Sequence, residues 1–253
     1  GALGTSILVQ FAPAPMRLVF IVLIAIMIIE AIAAGFLLDS AGKRRGLWAA
    51  MHPKISVPRH AWRVLWLIAP LDVAGWALGG FYFSLGPTLA MQVTGQHAPV
   101  VGGLMVFTLT ITAAMAVLLL RSWQPDRMLA FGAFTLMSGI AITLGGVYDS
   151  SALLFFSGTA VAGVGFGIGF LGALRTLLPV AQPHERAGLM AAFYIMSYLA
   201  FCVPAILAGV ATSSAGLNTA VGYYGGTLIV LAAIALVRST PGLIRRGAPV
   251  RLP

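Results

Sequence analysis

No charged residue occurs between Asp149 and Arg175, where the chain reads SSALLFFSGTAVAGVGFGIGFLGAL. At about 1.5 Å of rise per residue, such a run crosses the roughly 30 Å of hydrocarbon in a bilayer as one helix. Comparable apolar runs recur at 18–38, 64–90, 100–120, 128–148, 187–210 and 218–237, after a short opening segment at 1–12. The whole chain is 60% hydrophobic and 8% charged. Soluble domains carry roughly a quarter charged residues, and a surface this apolar would aggregate in water. Period-two alternation is missing, which argues against a membrane β-barrel. The expected fold class is therefore an all-α integral membrane protein with several spans.

The charges are ordered along the chain. All but Arg17 of the fifteen Lys and Arg fall on alternate connections. They occupy the stretch from Lys43 to Arg63, the pair Arg121 and Arg127, the pair Arg175 and Arg186, and the tail from Arg238 to Arg251. The connections at 91–99, around Asp149 and at 211–217 hold no basic residue. By the positive-inside rule the basic connections, and with them the C-terminus, are expected on the cytoplasmic side. The net charge of +9 is thus read as topology; it forms no continuous basic face for nucleic acid. The chain opens at Gly1 inside an apolar segment, with no basic leader region, so no signal peptide is expected. Residues 1–12 are read as the tail of a helix that starts upstream, and the chain as part of a longer protein.

Within the charge-free run, Gly167, Gly169 and Gly172 spell G-x-G-x-x-G. A dinucleotide site needs a strand before that motif, a turn at it and an acid some 20 residues later. The residues before the motif carry no turn signal, and the charge-free run crosses the core as one helix. On a helix Gly165, Gly169 and Gly172 share one face, with Gly163 and Gly167 on the next. Small residues spaced this way let helices approach closely in lipid. These five glycines are expected to serve helix packing and bending, as is Pro204 in a later span.

The run VPRHAWRVLWLIAPLDVAGWALGGFYFSLGPTLA resembles the start of the seventh helix of bacterial major facilitator superfamily transporters. The run GFLGALRTLLPVAQPHERAGLMAAFYIMSYLAFCVPAILAG is similar to the tenth helix, connecting loop and eleventh helix of the drug-efflux-like branch. GFLLDSAGKRRGL, from Gly35, looks like that family's loop motif between its second and third helices. No span follows it for about fifteen residues, so it reads as a connector between two bundles. The resemblance implies the end of an N-terminal bundle at 1–38, with a partial fifth and a complete sixth helix. It further implies a central cytoplasmic loop at 39–62, a C-terminal six-helix bundle at 63–238 and a cytoplasmic tail at 239–253. The short echo between GALGTSILVQ and PAILAGVATSS, each before a short loop and a helix, suits such repeats. Its further implications are secondary transport of a small organic compound, proton-coupled efflux by alternating access, and a bacterial inner membrane. The other half of the same transporter would supply the opposite wall of the cavity.

Two acids lie deep in spans. Asp72 is nine residues beyond Arg63, about 13 Å into its helix, and Glu30 is nine residues before Asp39. A carboxylate in hydrocarbon is costly, so it faces protein, water or a partner and is a functional candidate. Both are candidates for proton coupling. The resemblance favours Asp72, because the family's seventh helix lines the central cavity while the sixth is peripheral. The competing reading is a structural acid paired with a basic or hydroxyl group, or one that sits in a water-filled cytoplasmic vestibule. Trp76 lies one turn from Asp72, with Tyr82 and Ser84 further along the span. Tyr194, Ser197 and Tyr198 follow one another along a later span. Trp76, Tyr82, Ser84, Tyr194 and Tyr198 are candidates to line the substrate cavity, since aromatic rings beside an acid suit a cationic or amphipathic compound. Helix packing and interfacial anchoring explain the same aromatics equally well. Gly79, Gly80, Gly86 and Pro87 are expected to bend or break that span near its far end.

In the loop QPHERAGL, Pro183 stands before a helix and Glu185 and Arg186 in its first turn. A contact of Glu185 with Arg175 or with Arg127 is expected there, against a solvated loop without fixed pairs. His52, His60, His97 and His184 are scattered without metal-ligand spacing, and G-x-S-x-G and G-x-x-x-x-G-K-[ST] motifs are missing. No metal, cofactor or enzyme activity is expected. The alternative to a transporter is a non-transporting membrane receptor or scaffold.

Overall fold

The computed structural model describes residues 1–36 and 55–239. The expected central loop at 39–62 lies outside them except for 55–62, and the tail at 239–253 except for Ser239. Every regular element among the described residues is helical: α1 (Ala2–Phe11), α2 (Pro15–Gly35), α3 (Trp62–Ser84), α4 (Gly86–Thr94), α5 (Pro99–Leu120), α6 (Pro125–Tyr148), α7 (Ala152–Leu177), α8 (Arg186–Ala215) and α9 (Leu217–Arg238). A single 3₁₀ turn, Leu178–Val180, follows α7. Seven of these helices are long and apolar enough to cross a membrane. The expected all-α, multi-span class is therefore what the structure has.

Local chemistry sets the helix ends. Pro99 and Pro125 occupy the first turns of α5 and α6, where the missing N–H has no partner to lose. Ser151 caps α7 by accepting from Leu154 N at 3.4 Å. Gly95 ends α4 at φ 67°, in the left-handed region that favours glycine. The apolar run read as one span at 64–90 is two helices. α3 stops at Ser84, and Gly86 with Pro87 opens α4 after Leu85, so the break expected at these residues occurs.

Packing is organised around α7. In lipid, apolar side chains gain little by leaving one apolar medium for another, so association rests on close packing. α6 places Gly132, Gly139 and Gly146 seven residues apart, and α7 does the same with Gly158, Gly165 and Gly172. Seven residues are nearly two turns, so each trio lines one face. The two faces meet antiparallel. A Cβ on Gly139 would stand 2.6 Å from Ala162 Cα, one on Gly146 2.8 Å from Phe155 Cα, and one on Gly165 2.7 Å from Leu136 Cα. Gly163 and Gly167 form a second face, where added Cβ atoms would stand 2.5 Å from Leu109 O and 2.8 Å from Ala113 Cα on α5. Gly169 turns instead toward Leu71 on α3. The residues of G-x-G-x-x-G are thus interior positions of one unbroken helix, with no strand before them. α3 packs on α7, α8 and α9, and α9 closes back against α6. α1 lies along α5, where Ser6 faces Gly103. α2 packs chiefly on α1, and none of its span is buried.

Two prolines sit inside helices, Pro70 in α3 and Pro204 in α8. Pro70 has no N–H to offer the carbonyl of Trp66, four residues earlier. Arg238, in the last turn of α9, donates Nη1–H to that carbonyl at 3.0 Å. Arg175 likewise donates to the carbonyl of Arg121, the residue that ends α5, one of the free carbonyls of a helix C-terminus. At this basic end of the bundle Arg238 and Arg175 thus each tie a helix end to a neighbouring helix.

Gly139→Ala or Gly165→Ala should lower the unfolding temperature in detergent, because backbone atoms cannot yield to the methyl. Overpacking of this kind costs about 1–3 kcal/mol. Gly209→Ala in α8, where nothing lies within 4 Å of the added carbon, should leave it unchanged.

Candidate functional site

Asp72 lies midway along α3 with 3% of its surface exposed. Its Oδ2 accepts from Ser197 Oγ of α8 at 2.8 Å. The same hydroxyl stands 3.0 Å from the carbonyl of Phe193, one turn back on its own helix. One hydroxyl carries one proton, so Ser197 serves Asp72 or its own backbone, but not both at full strength. Among the described residues no cation pairs with Asp72; His60 Nε2 stands 3.5 Å from Glu185 Oε2 at the basic end. A hydroxyl partner is also what the structural reading of Asp72 expects.

Around this carboxyl the helices assemble aromatic rings. Trp76 is half-buried, with ring centroids 5.8 Å from Phe170 and 6.3 Å from Phe166 on α7. On the α8 side it lies 5.4 Å from Tyr198 and 6.2 Å from Phe201. Tyr194 stands 6.4 Å from Tyr198. The cluster is open on the tyrosine side, where Tyr194 and Tyr198 are 38% and 58% exposed. The crossing of α3 and α8 that builds it depends on Gly80, whose added Cβ would stand 3.0 Å from the carbonyl carbon of Phe201.

The other expected site residues lie elsewhere. Tyr82 is 2% exposed and does not share the space at Trp76. Its hydroxyl lies 3.4 Å from Thr143 Oγ1 and 3.2 Å from Thr159 Oγ1, pinning α3 to α6 and α7. Six residues of helix separate it from Trp76, which turns it to another face. Ser84 is exposed at the end of α3 and donates to Gly80 O at 2.8 Å. Glu30 is exposed on α2, whose packing partner is α1. The expected contact of Glu185 with Arg175 or Arg127 does not form. Glu185 Oε2 accepts from Gln182 N at 3.1 Å and faces His60, while Arg175 goes to the free carbonyl of Arg121. Arg127 is exposed, and Arg186 Nε lies 3.4 Å from Ala181 O. Sequence reasoning missed Phe166, Phe170 and Phe201; the spacing of the first two at i and i+4 was the available signal.

A groove of about 590 Å³ between α3 and α8 is lined by Trp62, Trp66, Leu199, Val203 and other apolar residues and does not include Asp72. Its lining holds no charged side chain, so the candidate site is the Asp72 cluster. Among the described residues no three His, Cys, Asp or Glu side chains converge. Seven apolar helices of spanning length, packed through small residues around a buried acid, define a multi-pass helical membrane protein. Compared with known protein families, curated proteins and solved structures, the chain matches none.

Ser197→Ala and Asp72→Leu should be strongly non-additive in unfolding experiments. The first should cost about 1–3 kcal/mol in the parent chain and much less once the carboxyl is gone.

Proposed function

We propose that the chain is part of a secondary transporter of the major facilitator type, which moves a small organic compound against its gradient in exchange for protons. One observation carries this reading: Asp72 is buried mid-span with a hydroxyl as its donor, beside aromatic rings that open outward through Tyr194 and Tyr198. A carboxyl held this way can bind a proton without breaking an ion pair. Aromatic faces next to it suit a cationic or amphipathic compound, because a ring attracts positive charge over its face. A second bundle of the same protein would supply the opposite wall, and rocking of the two bundles would expose the site to each side in turn. Asp72 is the proton-coupling residue on this reading; Trp76, Tyr194 and Tyr198 contact the compound. Glu30, Tyr82 and Ser84 take no part, since each lies away from that cluster. The bilayer is a bacterial inner membrane, with the basic end of the bundle and the C-terminus on the cytoplasmic side.

Vesicles containing the full-length protein and carrying an imposed pH gradient give the test. Asp72→Asn should abolish uphill movement of an aromatic cation at normal expression, while exchange down the gradient persists. Undiminished uphill transport by that variant would refute the assignment.

A further inference from the structure

We propose a binding site for one water molecule between Asp72 and Trp76, through which the indole positions the carboxyl. Ser197 satisfies only Oδ2 of Asp72. Oδ1 of the same carboxyl and Nε1 of Trp76 are both closed off from solvent, and neither has a hydrogen-bond partner among the described residues. The two belong to one face of α3, one turn apart. Both side chains border a cavity of about 10 Å³, which Gly75, Leu136, Gly165 and Phe166 also line.

The chemistry of that space selects its occupant. A buried donor and a buried acceptor left unmet each forfeit the hydrogen bond they had in water. A cavity of this size admits about one water and nothing larger. A bare metal ion would need several oxygen ligands, and the cavity offers one carboxylate oxygen and an N–H that repels cations. Water fits both ends: it donates to Oδ1 and accepts from Nε1–H, the two bonds that a buried water needs at the least. Glycine at 75 and at 165 keeps the space open. A Cβ at Gly75 would stand 3.1 Å from the ring of Phe166, so a methyl there enters the region the water occupies. Trp76 is then more than one ring of an aromatic cluster. It fixes the free oxygen of Asp72, while Ser197 fixes the other from α8. This site does not depend on what the protein transports.

A crystal or cryo-EM map of the full-length protein that shows ordered water is the direct test. Density within hydrogen-bond distance of Asp72 Oδ1 and Trp76 Nε1 is the expected result. An indole nitrogen bonded straight to the carboxyl, or a cavity without density, would overturn the site. A second measurement uses ¹⁵N-indole-labelled protein in lipid nanodiscs. The Trp76 Hε1 resonance should show a cross-peak to long-lived water that is lost in Gly75→Ala and kept in Gly209→Ala. If Gly75→Ala fails to fold, Asp72→Leu removes the acceptor and should give the same loss. A cross-peak that survives in a folded Gly75→Ala or Asp72→Leu protein contradicts the proposal.

Discussion

The close approach of α6 and α7 is the constraint on which the rest of the bundle depends. Two helices in lipid have no hydrophobic force pushing them together, and they gain only what close contact provides. Here that contact is backbone against backbone, at Gly139 with Ala162, Gly146 with Phe155 and Gly165 with Leu136. With α6 and α5 seated on two faces of α7, a third face remains for α3. Gly169 meets Leu71 there, one residue before Asp72. The depth and surroundings of the acid thus follow from glycines on a helix that carries no charge until its last turn.

The interior polar groups divide into two kinds. Tyr82, Thr143 and Thr159 form a closed set: the two threonine hydroxyls donate to Gly139 O and Phe155 O in their own helices, and the phenol joins them across α3, α6 and α7. Nothing in that set is left over to bind anything else. The set at Asp72 is open: one carboxyl oxygen and one indole N–H lack partners among the described residues, and Ser197 has two acceptors for one proton. Polar groups fully satisfied by protein make a joint, and groups satisfied in part can exchange a partner. This difference separates the sealed interior from the one that can exchange a partner.

The legibility of these features varied with how local each one is. Span number, the break at Gly86–Pro87 and the depth of Asp72 are properties of short stretches, set by hydropathy, proline and helical rise. The pairing of Glu185 is another matter. Its partner His60 is far away in sequence, and Arg175, which looked available, goes to a helix-end carbonyl. The Arg238 contact existed only because Pro70 stripped the Trp66 carbonyl of its usual donor. The glycine ladder of α7 was visible in sequence, but its counterpart at Gly132, Gly139 and Gly146 was not recognised, although the seven-residue spacing was there to read.

From its sequence alone, this chain had to be a helical membrane protein with a costly acid at mid-span, because hydropathy, length and charge order admit little else. Tertiary structure decided which side chains that acid meets. Trp76 and Tyr82 lie on one span, yet helical rotation and the crossing of α3 with α8 sent the first to the open aromatic cluster and the second to a sealed hydroxyl joint. Such choices depend on which helix faces which. That order is settled by steric fit between distant glycines and their neighbours, and the composition of any single span does not contain it.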